Sequence, residues 1–598
     1  MHGRLKVKTT AEQEEEKRKE REKKLKIYKA ASRQIIDKRR SGELDDELLR
    51  ITGQVLQSNP DDSTLWNIRR EVFEKYFDKG SKHTAEDGED ELTLTELALQ
   101  KNPKSYGAWS HRAWAMGAFP NMDWDRELRL CNLLLEQDER NFHGWDYRRL
   151  VCQHAKVTLE KELSFTMDKI AANFSNYSAW HYRSSLLPKV HPGSREGTVK
   201  EDVLLEGAGK LAYLFSSYCV ISVCFGKVMW CSCSFSVLPV SCASEYSLVQ
   251  NATFTDPGDQ SGWFYHRWLT GREKPALDFL LLYISKGTRT VTLHLTQQIR
   301  IQEVELTVRM NGVLLSFVWH APNTLLCSPL WYADIPGDAL VGDCDSEWKA
   351  TVRSRDGTEA HADLSVKASE QEARFTGNIP RNHLFSCELS AARTSVLEKE
   401  LEVCQALHEL EPQNKWPLLT CVLLMRALDG SRFQEEIEKF LLELTTVDPM
   451  RSAYYHDLRS KFAMEIALEG LDANLVCVSL AGKKLTCVHH ADHLALVRDV
   501  DLSRNRIRSL RPLCFLRSVV RLNLCGNRVL TCLGLEELPH LEWLSLEDNE
   551  ISSLDGLVPL KTCRKLTTLL LKGNPVCKYE KYLSSFLPQV KIFDNSSA

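Results

Sequence analysis

Three residues in the N-terminal third of the sequence have side chains that could donate hydrogen bonds to an anion. Lys104 and Tyr106 lie in "NPKSYGAW", and His143 lies in "NFHGWDYR". A fixed cation with hydrogen-bond donors beside it stabilises negative charge that develops in a transition state. Isolated basic residues seldom have such a role, so the residues alone favour a solvated lysine in a turn and a packing histidine.

The cysteines do not predict a metal site in this chain. None of the 19 forms a CxxC pair, and the five within residues 211–242 have no histidine or acidic residue among them. The N-terminus has no apolar run after its basic start, so it does not predict a secretory signal. We therefore expect reduced thiols in a cytoplasmic protein, and no metal bound by this chain.

An internal repeat places Lys104, Tyr106 and His143 on helical hairpins. Five motifs align on a tryptophan that follows an Asn or Asp by seven residues: Trp66, Trp109, Trp145, Trp180 and Trp263. The first four tryptophans are 43, 36 and 35 residues apart, a period typical of stacked helix pairs. We expect the tryptophans to pack between hairpins. An arginine follows each of the first four by three residues and should form hydrogen bonds between repeats.

Two weaker copies of the motif, at 410–428 and 447–462, predict that the helical layer resumes later in the chain. Between the two helical parts the period changes. Alternating apolar and polar residues predict five strands, which together indicate a small β-sandwich. The predicted strands are 290–296, 304–310, 314–320, 347–354 and 359–369.

The C-terminal part repeats the pattern L-x-x-L-x-L-x-x-N-x-L. Its asparagines are Asn505, Asn527, Asn549 and Asn574. This is the leucine-rich repeat, in which apolar side chains fill a solenoid and the asparagine bonds backbone in the turn. The predicted domains are therefore helical repeats over 1–275, a β-sandwich over 278–388, helical repeats over 390–467 and leucine-rich repeats over 470–598.

Residues 207–246 interrupt the helical repeats with an almost uncharged stretch. Within 211–242, seven serines, Gly226, Lys227 and Pro239 break the apolar run, which argues against a membrane span. We interpret the segment as a translated non-coding insertion or a disordered excursion. The remaining alternatives are a soft-metal site and a membrane anchor that would require detergent.

The tryptophan motif resembles the alpha-subunit repeat of protein prenyltransferases. A β-sandwich inserted into the helical layer, with leucine-rich repeats after it, is similar to the Rab geranylgeranyltransferase branch of that family. The resemblance implies a crescent of helical hairpins around a beta subunit that holds the catalytic zinc. It also implies geranylgeranyl diphosphate, Rab GTPases and a Rab escort protein as partners.

The resemblance implies a diphosphate-binding role for Lys104, Tyr106 and His143. Lys104 matches a family lysine that approaches the diphosphate, Tyr106 matches a tyrosine that donates to the same oxygens, and His143 matches a histidine that lines the same site. His2 is a further possibility, as a mobile imidazole that visits the zinc of the partner.

The competing function is a scaffold whose helical and leucine-rich repeats only display binding surfaces. Composition does not favour a nucleic-acid partner, because 77 Lys and Arg against 81 Asp and Glu leave a formal net charge of −4. A prenyltransferase alpha subunit should depend on a beta chain for solubility, whereas a scaffold should purify alone or with varied partners.

Overall fold

The structure is a computed structural model in two compact units, Met1–Val203 and Leu204–Ala598. It describes residues 11–78, 85–193, 199, 244–271, 276–337, 344–355, 357–378, 385, 394–470, 475–536 and 538–594. His2 and most of the 207–246 segment lie outside these residues. The domain boundaries proposed from the sequence stay predictions.

Helices joined by short turns build the first unit. They are α1 (Ala11–Ser41), α2 (Asp46–Ser58), α3 (Ser63–Asp78), α4 (Ala85–Lys101), α5 (Tyr106–Ala118), α6 (Trp124–Gln137), α7 (Phe142–His154), α8 (Leu159–Ala172) and α9 (Tyr177–Val190). The pairs α2–α3, α4–α5, α6–α7 and α8–α9 form one hairpin for each of the first four tryptophan motifs. The predicted helical-hairpin repeat is confirmed.

Each tryptophan fixes the turn that precedes its helix. Its indole N–H donates to the carbonyl six residues earlier, at 2.8 to 2.9 Å: Trp66 to Pro60, Trp109 to Pro103, Trp145 to Glu139, Trp180 to Phe174 and Trp263 to Pro257. All five rings are almost fully buried. A buried indole therefore packs between helices with its only donor satisfied, as the sequence predicts.

The second unit contains further helices. They are α10 (Glu245–Thr255), α11 (Gln260–Thr270), α12 (Thr394–Leu410), α13 (Lys415–Asp429), α14 (Gln434–Val447), α15 (Ser452–Glu469) and α16 (Glu580–Phe586). Trp263 of α11 shares an apolar core with Leu401, Leu424 and Tyr455. The helical layer thus resumes after the inserted strands, as predicted.

Helix α10 corrects the end of the insertion proposed at 207–246. Ser244 caps the helix by accepting a hydrogen bond from the N–H of Ser247, and Glu245 and Tyr246 are buried in its first turn. The last three residues of the proposed insertion are thus part of the helical repeat. Nothing else of the segment is described.

The inserted strands form two four-stranded sheets. The strands are β1 (Phe279–Ser285), β2 (Thr290–Ile299), β3 (Val304–Met310), β4 (Val313–Leu315), β5 (Ser328–Asp334), β6 (Ser346–Ser354), β7 (Glu359–Val366) and β8 (Glu372–Thr376). Their orders are β5-β2-β1-β8 and β4-β3-β6-β7. Leu282 and Leu293 of one sheet share a core with Trp348 and Val352 of the other, which makes the predicted sandwich.

Six short parallel strands follow, in the order β14-β13-β12-β11-β10-β9. They are β9 (Cys477–Ser479), β10 (Asp499–Asp501), β11 (Arg521–Asn523), β12 (Trp543–Ser545), β13 (Thr568–Leu570) and β14 (Ile592–Asp594). Asn527 accepts from the N–H of Ile507 at 3.0 Å and donates to the carbonyls of Leu502 and Leu524. The other three asparagines bond backbone in the same way, so the leucine-rich repeat is confirmed.

Candidate functional site

Lys104, Tyr106 and His143 lie at the turns of two successive hairpins. Lys104 is in the α4–α5 turn, Tyr106 is the first residue of α5, and His143 is the second residue of α7. Ser105 and Asn141 start the two helices by accepting from backbone N–H groups. The repeat therefore brings the three predicted residues to the same end of neighbouring helices.

Side-chain contacts at these turns join Tyr106 to His143, and Lys104 to the following turn. The rings of Tyr106 and His143 meet edge to face, with 4.3 Å between their centroids. The Lys104 ammonium lies 3.6 Å from the Asp138 carboxylate, which belongs to the next turn. The Lys104 side chain is mostly exposed and that of Asp138 is partly exposed, and ion pairs at the surface contribute little stability. Lys104 can therefore exchange Asp138 for another anion at small cost.

The side chains of the three residues differ in how much of their surface is exposed to solvent. The side chain of Lys104 is 60% exposed, and Tyr106 is 72% exposed although it is aromatic. His143 is 7% exposed, and its buried Nε2 has no hydrogen-bond partner among the described residues. Buried polar atoms are normally paired, and an orphan calls for an explanation such as a ligand or water.

Burial is the main reason why the pKa of His143 is lowered. The carboxylate of Asp146 opposes this shift, and the charge of Lys104 adds to it. Because the ordinary value is already below 7, the imidazole is neutral at pH 7. It can then offer one N–H to an anion without adding charge, beside a lysine that supplies the cation.

The N-termini of α5 and α7 add to the positive character of this group. Unpaired backbone N–H groups and the helix dipole favour anions at such ends. The first helical residue is an exposed ring in three successive repeats: Tyr106, Phe142 and Tyr177. The arrangement offers a cation, donors and apolar ring surface side by side, which suits an anion attached to an apolar chain.

Buried ion pairs hold the hairpins that present these side chains. Arg112 of α5 donates two 2.7 Å hydrogen bonds to Glu127 of the next repeat, and the Tyr147 hydroxyl donates to the same carboxylate at 2.6 Å. Arg112 also donates to the Leu92 carbonyl and to Thr95, in its own hairpin. Arg112 therefore bonds between repeats, as predicted for the arginines, whereas Arg183 donates to Leu163 and Thr166 of its own hairpin.

The same pattern recurs through the chain. Its pairs are Arg69 with Glu91, Arg148 with Glu162 and, in the fifth repeat, His266 with Glu400. The sequence did not predict the glutamates of these pairs. They stand 22, 14 and 134 residues from their partners, and this varying distance hides them from a search based on fixed spacing.

The described residues contain one group that could hold a metal ion, and the sequence did not predict it. It consists of His294, Asp492 and His493. Among the helices that the structure describes, none has both the length and the apolar character of a membrane span.

Known proteins resemble this chain along almost its whole length. Residues 45–76, 89–119, 124–155, 159–190 and 242–272 match the family described as "Protein prenyltransferase alpha subunit repeat", and residues 478–596 match "Leucine-rich repeat". "Geranylgeranyl transferase type-2 subunit alpha" of Bos taurus is 40% identical over 602 residues, covering 99% of both chains.

More distant proteins resemble parts of it. The Saccharomyces cerevisiae subunit of the same name is 30% identical over 276 residues, which cover 45% of this chain and 72% of the yeast protein. The solved structure "Candida albicans protein geranylgeranyltransferase-I complexed with GGPP" is 14% identical, has a TM-score of 0.39, and covers 73% of this chain and 91% of that chain.

Proposed function

The chain belongs to the family of geranylgeranyl transferase type-2 alpha subunits, and we propose that it works with a beta subunit to transfer geranylgeranyl groups to C-terminal cysteines of Rab-type GTPases. In this proposal the chain binds the diphosphate end of geranylgeranyl diphosphate. The cytoplasm is the proposed compartment, and a Rab escort protein presents the GTPase.

One observation supports the diphosphate-binding role above the others: Lys104, Tyr106 and His143 converge at two adjacent turns. The cation is exposed, the hydroxyl belongs to an exposed ring, and the imidazole has an unpaired buried nitrogen. When the bond between carbon and diphosphate breaks, negative charge grows on the departing oxygens. A preorganised cation and donors stabilise that charge more than they stabilise the substrate.

The roles within this group differ. We assign charge neutralisation to Lys104, and hydrogen-bond donation to the hydroxyl of Tyr106. The neutral imidazole of His143 orients the Tyr106 ring through their edge-to-face contact and adds a further donor. The catalytic zinc is assigned to the beta subunit, where it would lower the pKa of the substrate thiol so that a thiolate attacks.

Co-expression with a beta subunit tests this function. The chain should purify as a heterodimer, and the heterodimer should transfer labelled geranylgeranyl to a Rab GTPase when an escort protein is present. A second preparation that lacks residues 207–243 tests the insertion, because activity confined to the shortened chain would identify the segment as spurious. If the chain purifies alone, or if neither heterodimer transfers label, the scaffold function is the better account.

A further inference from the structure

Two histidines and an aspartate meet where the β-sandwich contacts the leucine-rich repeats. His294 is on β2, and Asp492 and His493 are in the 3-10 helix Ala491–Leu494. The Nε2 atom of His294 is 2.7 Å from Oδ2 of Asp492, and Nε2 of His493 is 4.0 Å from the same oxygen. One ligand atom from each residue lies within 4.8 Å of the other two.

Strand geometry directs His294 out of the sandwich. Its neighbours Leu293 and Leu295 belong to the core between the two sheets, and successive side chains on a strand point to opposite faces. His294 therefore lies on the outer face of its sheet, yet it is 4% exposed. The leucine-rich repeats cover this face, through a residue 198 positions later in the chain.

The 3-10 helix presents its two side chains to that face. It begins after His490, which has a left-handed backbone with φ of 54°. The side chains of Asp492 and His493 are 17% and 10% exposed, and the rings of His294 and His493 are 4.9 Å apart. All three side chains are thus largely withdrawn from water and held by two different domains.

The group has the composition of a zinc site. Zinc binds imidazole nitrogens at about 2.0 to 2.1 Å and carboxylate oxygens at about 2.0 to 2.2 Å in a tetrahedral arrangement, which places ligand atoms about 3.3 Å apart. The two distances to Oδ2 of Asp492, 2.7 and 4.0 Å, lie on either side of that value, and all three ligand atoms lie within 4.8 Å of one another, so the side chains need only close around an ion. A hydrogen bond between His294 and Asp492 alone would not explain why the imidazole of His493 faces the same oxygen. A shared metal ion would explain it.

We propose that His294, Asp492 and His493 bind a zinc ion that ties the β-sandwich to the leucine-rich repeats. A water molecule takes the fourth position, because three protein ligands leave one tetrahedral site open. The proposal differs from the sequence-based expectation that this chain binds no metal. It does not depend on the transferase function, and it concerns an ion distinct from the one assigned to the beta subunit.

Other contacts also join the two domains. Arg498 pairs with Glu372 at 2.9 Å, with about half of each side chain exposed, Asn323 donates a hydrogen bond to Glu536 at 3.3 Å, and Arg517 lies 4.1 Å from the centre of the Tyr332 ring. Exposed ion pairs contribute little to the stability of an interface. A zinc ion bound from both sides would therefore add a restraint on the relative movement of the two domains.

Metal analysis of the purified heterodimer tests the site. His294→Gln keeps a hydrogen-bond donor but is not a good zinc ligand, and His361→Gln, on the other sheet with a side chain 48% exposed, is the matched control. We expect His294→Gln and Asp492→Asn to contain one zinc ion fewer per heterodimer than the wild type and the control. Equal zinc in all four proteins would overturn the proposal, and so would a stoichiometric ion other than zinc.

A second measurement needs no variant. The wild-type heterodimer is treated with a chelator and then given zinc chloride alone, and amide hydrogen exchange is followed by mass spectrometry. Exchange in residues 290–299 and 491–494 should slow at least several-fold on zinc addition, because the ion binds only the docked arrangement. Unchanged exchange in both segments would contradict the proposal.

Discussion

Replacing Arg112 with alanine should destabilise the second and third hairpins by about 3 to 5 kcal/mol, the usual cost of removing one partner of a buried ion pair. Arg112 and Glu127 are 1% and 0% exposed. Without the guanidinium, the Glu127 carboxylate keeps only the Tyr147 hydroxyl as a donor in the contacts described above.

The hydrogen bonds give the same magnitude. Arg112 donates two bonds to a charged group, at 2.7 Å each, and two to the neutral acceptors Leu92 and Thr95. Bonds to charged groups contribute about 1.5 to 3 kcal/mol each. Two of them therefore account for about 3 to 6 kcal/mol, in agreement with the ion-pair figure.

The assay is native-state hydrogen exchange of α5 and α6, because it reports local opening in a chain too large for two-state unfolding. Arg126→Ala is the control, since Arg126 pairs with Glu89 on the surface and should cost less than about 1 kcal/mol. An apolar triple variant, Arg112→Met with Glu127→Leu and Tyr147→Phe, should recover most of the loss. The reasoning is refuted if Arg112→Ala lowers the opening free energy no more than Arg126→Ala does.

Three further predictions concern packing, pH and the leucine-rich repeats. A Cβ at Gly107 would lie 2.4 Å from the Trp66 ring, whereas one at Gly117 would meet nothing within 4 Å. Gly107→Ala should therefore lower the free energy of local opening of α5, measured by hydrogen exchange, by about 1 to 3 kcal/mol. Gly117→Ala should raise the same free energy by up to about 1 kcal/mol. Burial would raise the pKa of Glu91, but hydrogen bonds from an imidazole and a guanidinium lower it to about 2 from an ordinary 4.5. The stability that Glu91 contributes is thus complete above pH 4.5 and lost as the pH falls toward 2. Glu91→Gln should therefore make Tm fall less steeply as the pH is lowered through this range. An unchanged dependence of Tm on pH would contradict the prediction. Asn527→Ala leaves buried backbone groups unpaired and should cost at least about 2 kcal/mol, with Asn527→Asp also destabilising because a carboxylate cannot donate; normal thermal unfolding of both variants would show that the asparagine bonds are dispensable.

The sequence predicted those parts of the fold that repeat at a fixed spacing. The tryptophan motif and the leucine-rich motif each occur several times, and every copy marks the same position within its repeat. Several matches in register are therefore much stronger evidence than a single match. The strands were predicted less well. The predicted strand 314–320 is β4, which spans only Val313–Leu315, and β1, β5 and β8 were missed.

The missed strand β1 has a physical explanation. Its sequence "FLLLYIS" is a continuous apolar run, and β1 is an inner strand of its sheet in which no residue is fully exposed. A strand with one wet face alternates in polarity, whereas a strand buried on both sides does not. Alternation could therefore find β2, β3, β6 and β7, and could not find β1.

The candidate site was predictable only in part. Lys104, Tyr106 and His143 were proposed because the motifs that contain them resemble a family repeat, and their residue types alone did not favour a binding role. The contact between the rings of Tyr106 and His143, and the orphan nitrogen of His143, depend on the stacking of one hairpin on the next. The group formed by His294 and Asp492 joins two domains that no local pattern connects.

The most direct test of the central claim is the rate of geranylgeranyl transfer by heterodimers that carry Lys104→Ala, Lys104→Arg or Lys101→Ala. Lys101 is an exposed lysine at the end of α4 and serves as the matched control. Loss of a charge-stabilising group from a transition state typically costs about 100- to 1,000-fold in kcat. We predict that Lys104→Ala lowers kcat by about that factor with assembly intact, that Lys104→Arg recovers part of it, and that Lys101→Ala has no effect. Equal kcat values for Lys104→Ala and Lys101→Ala would contradict the account.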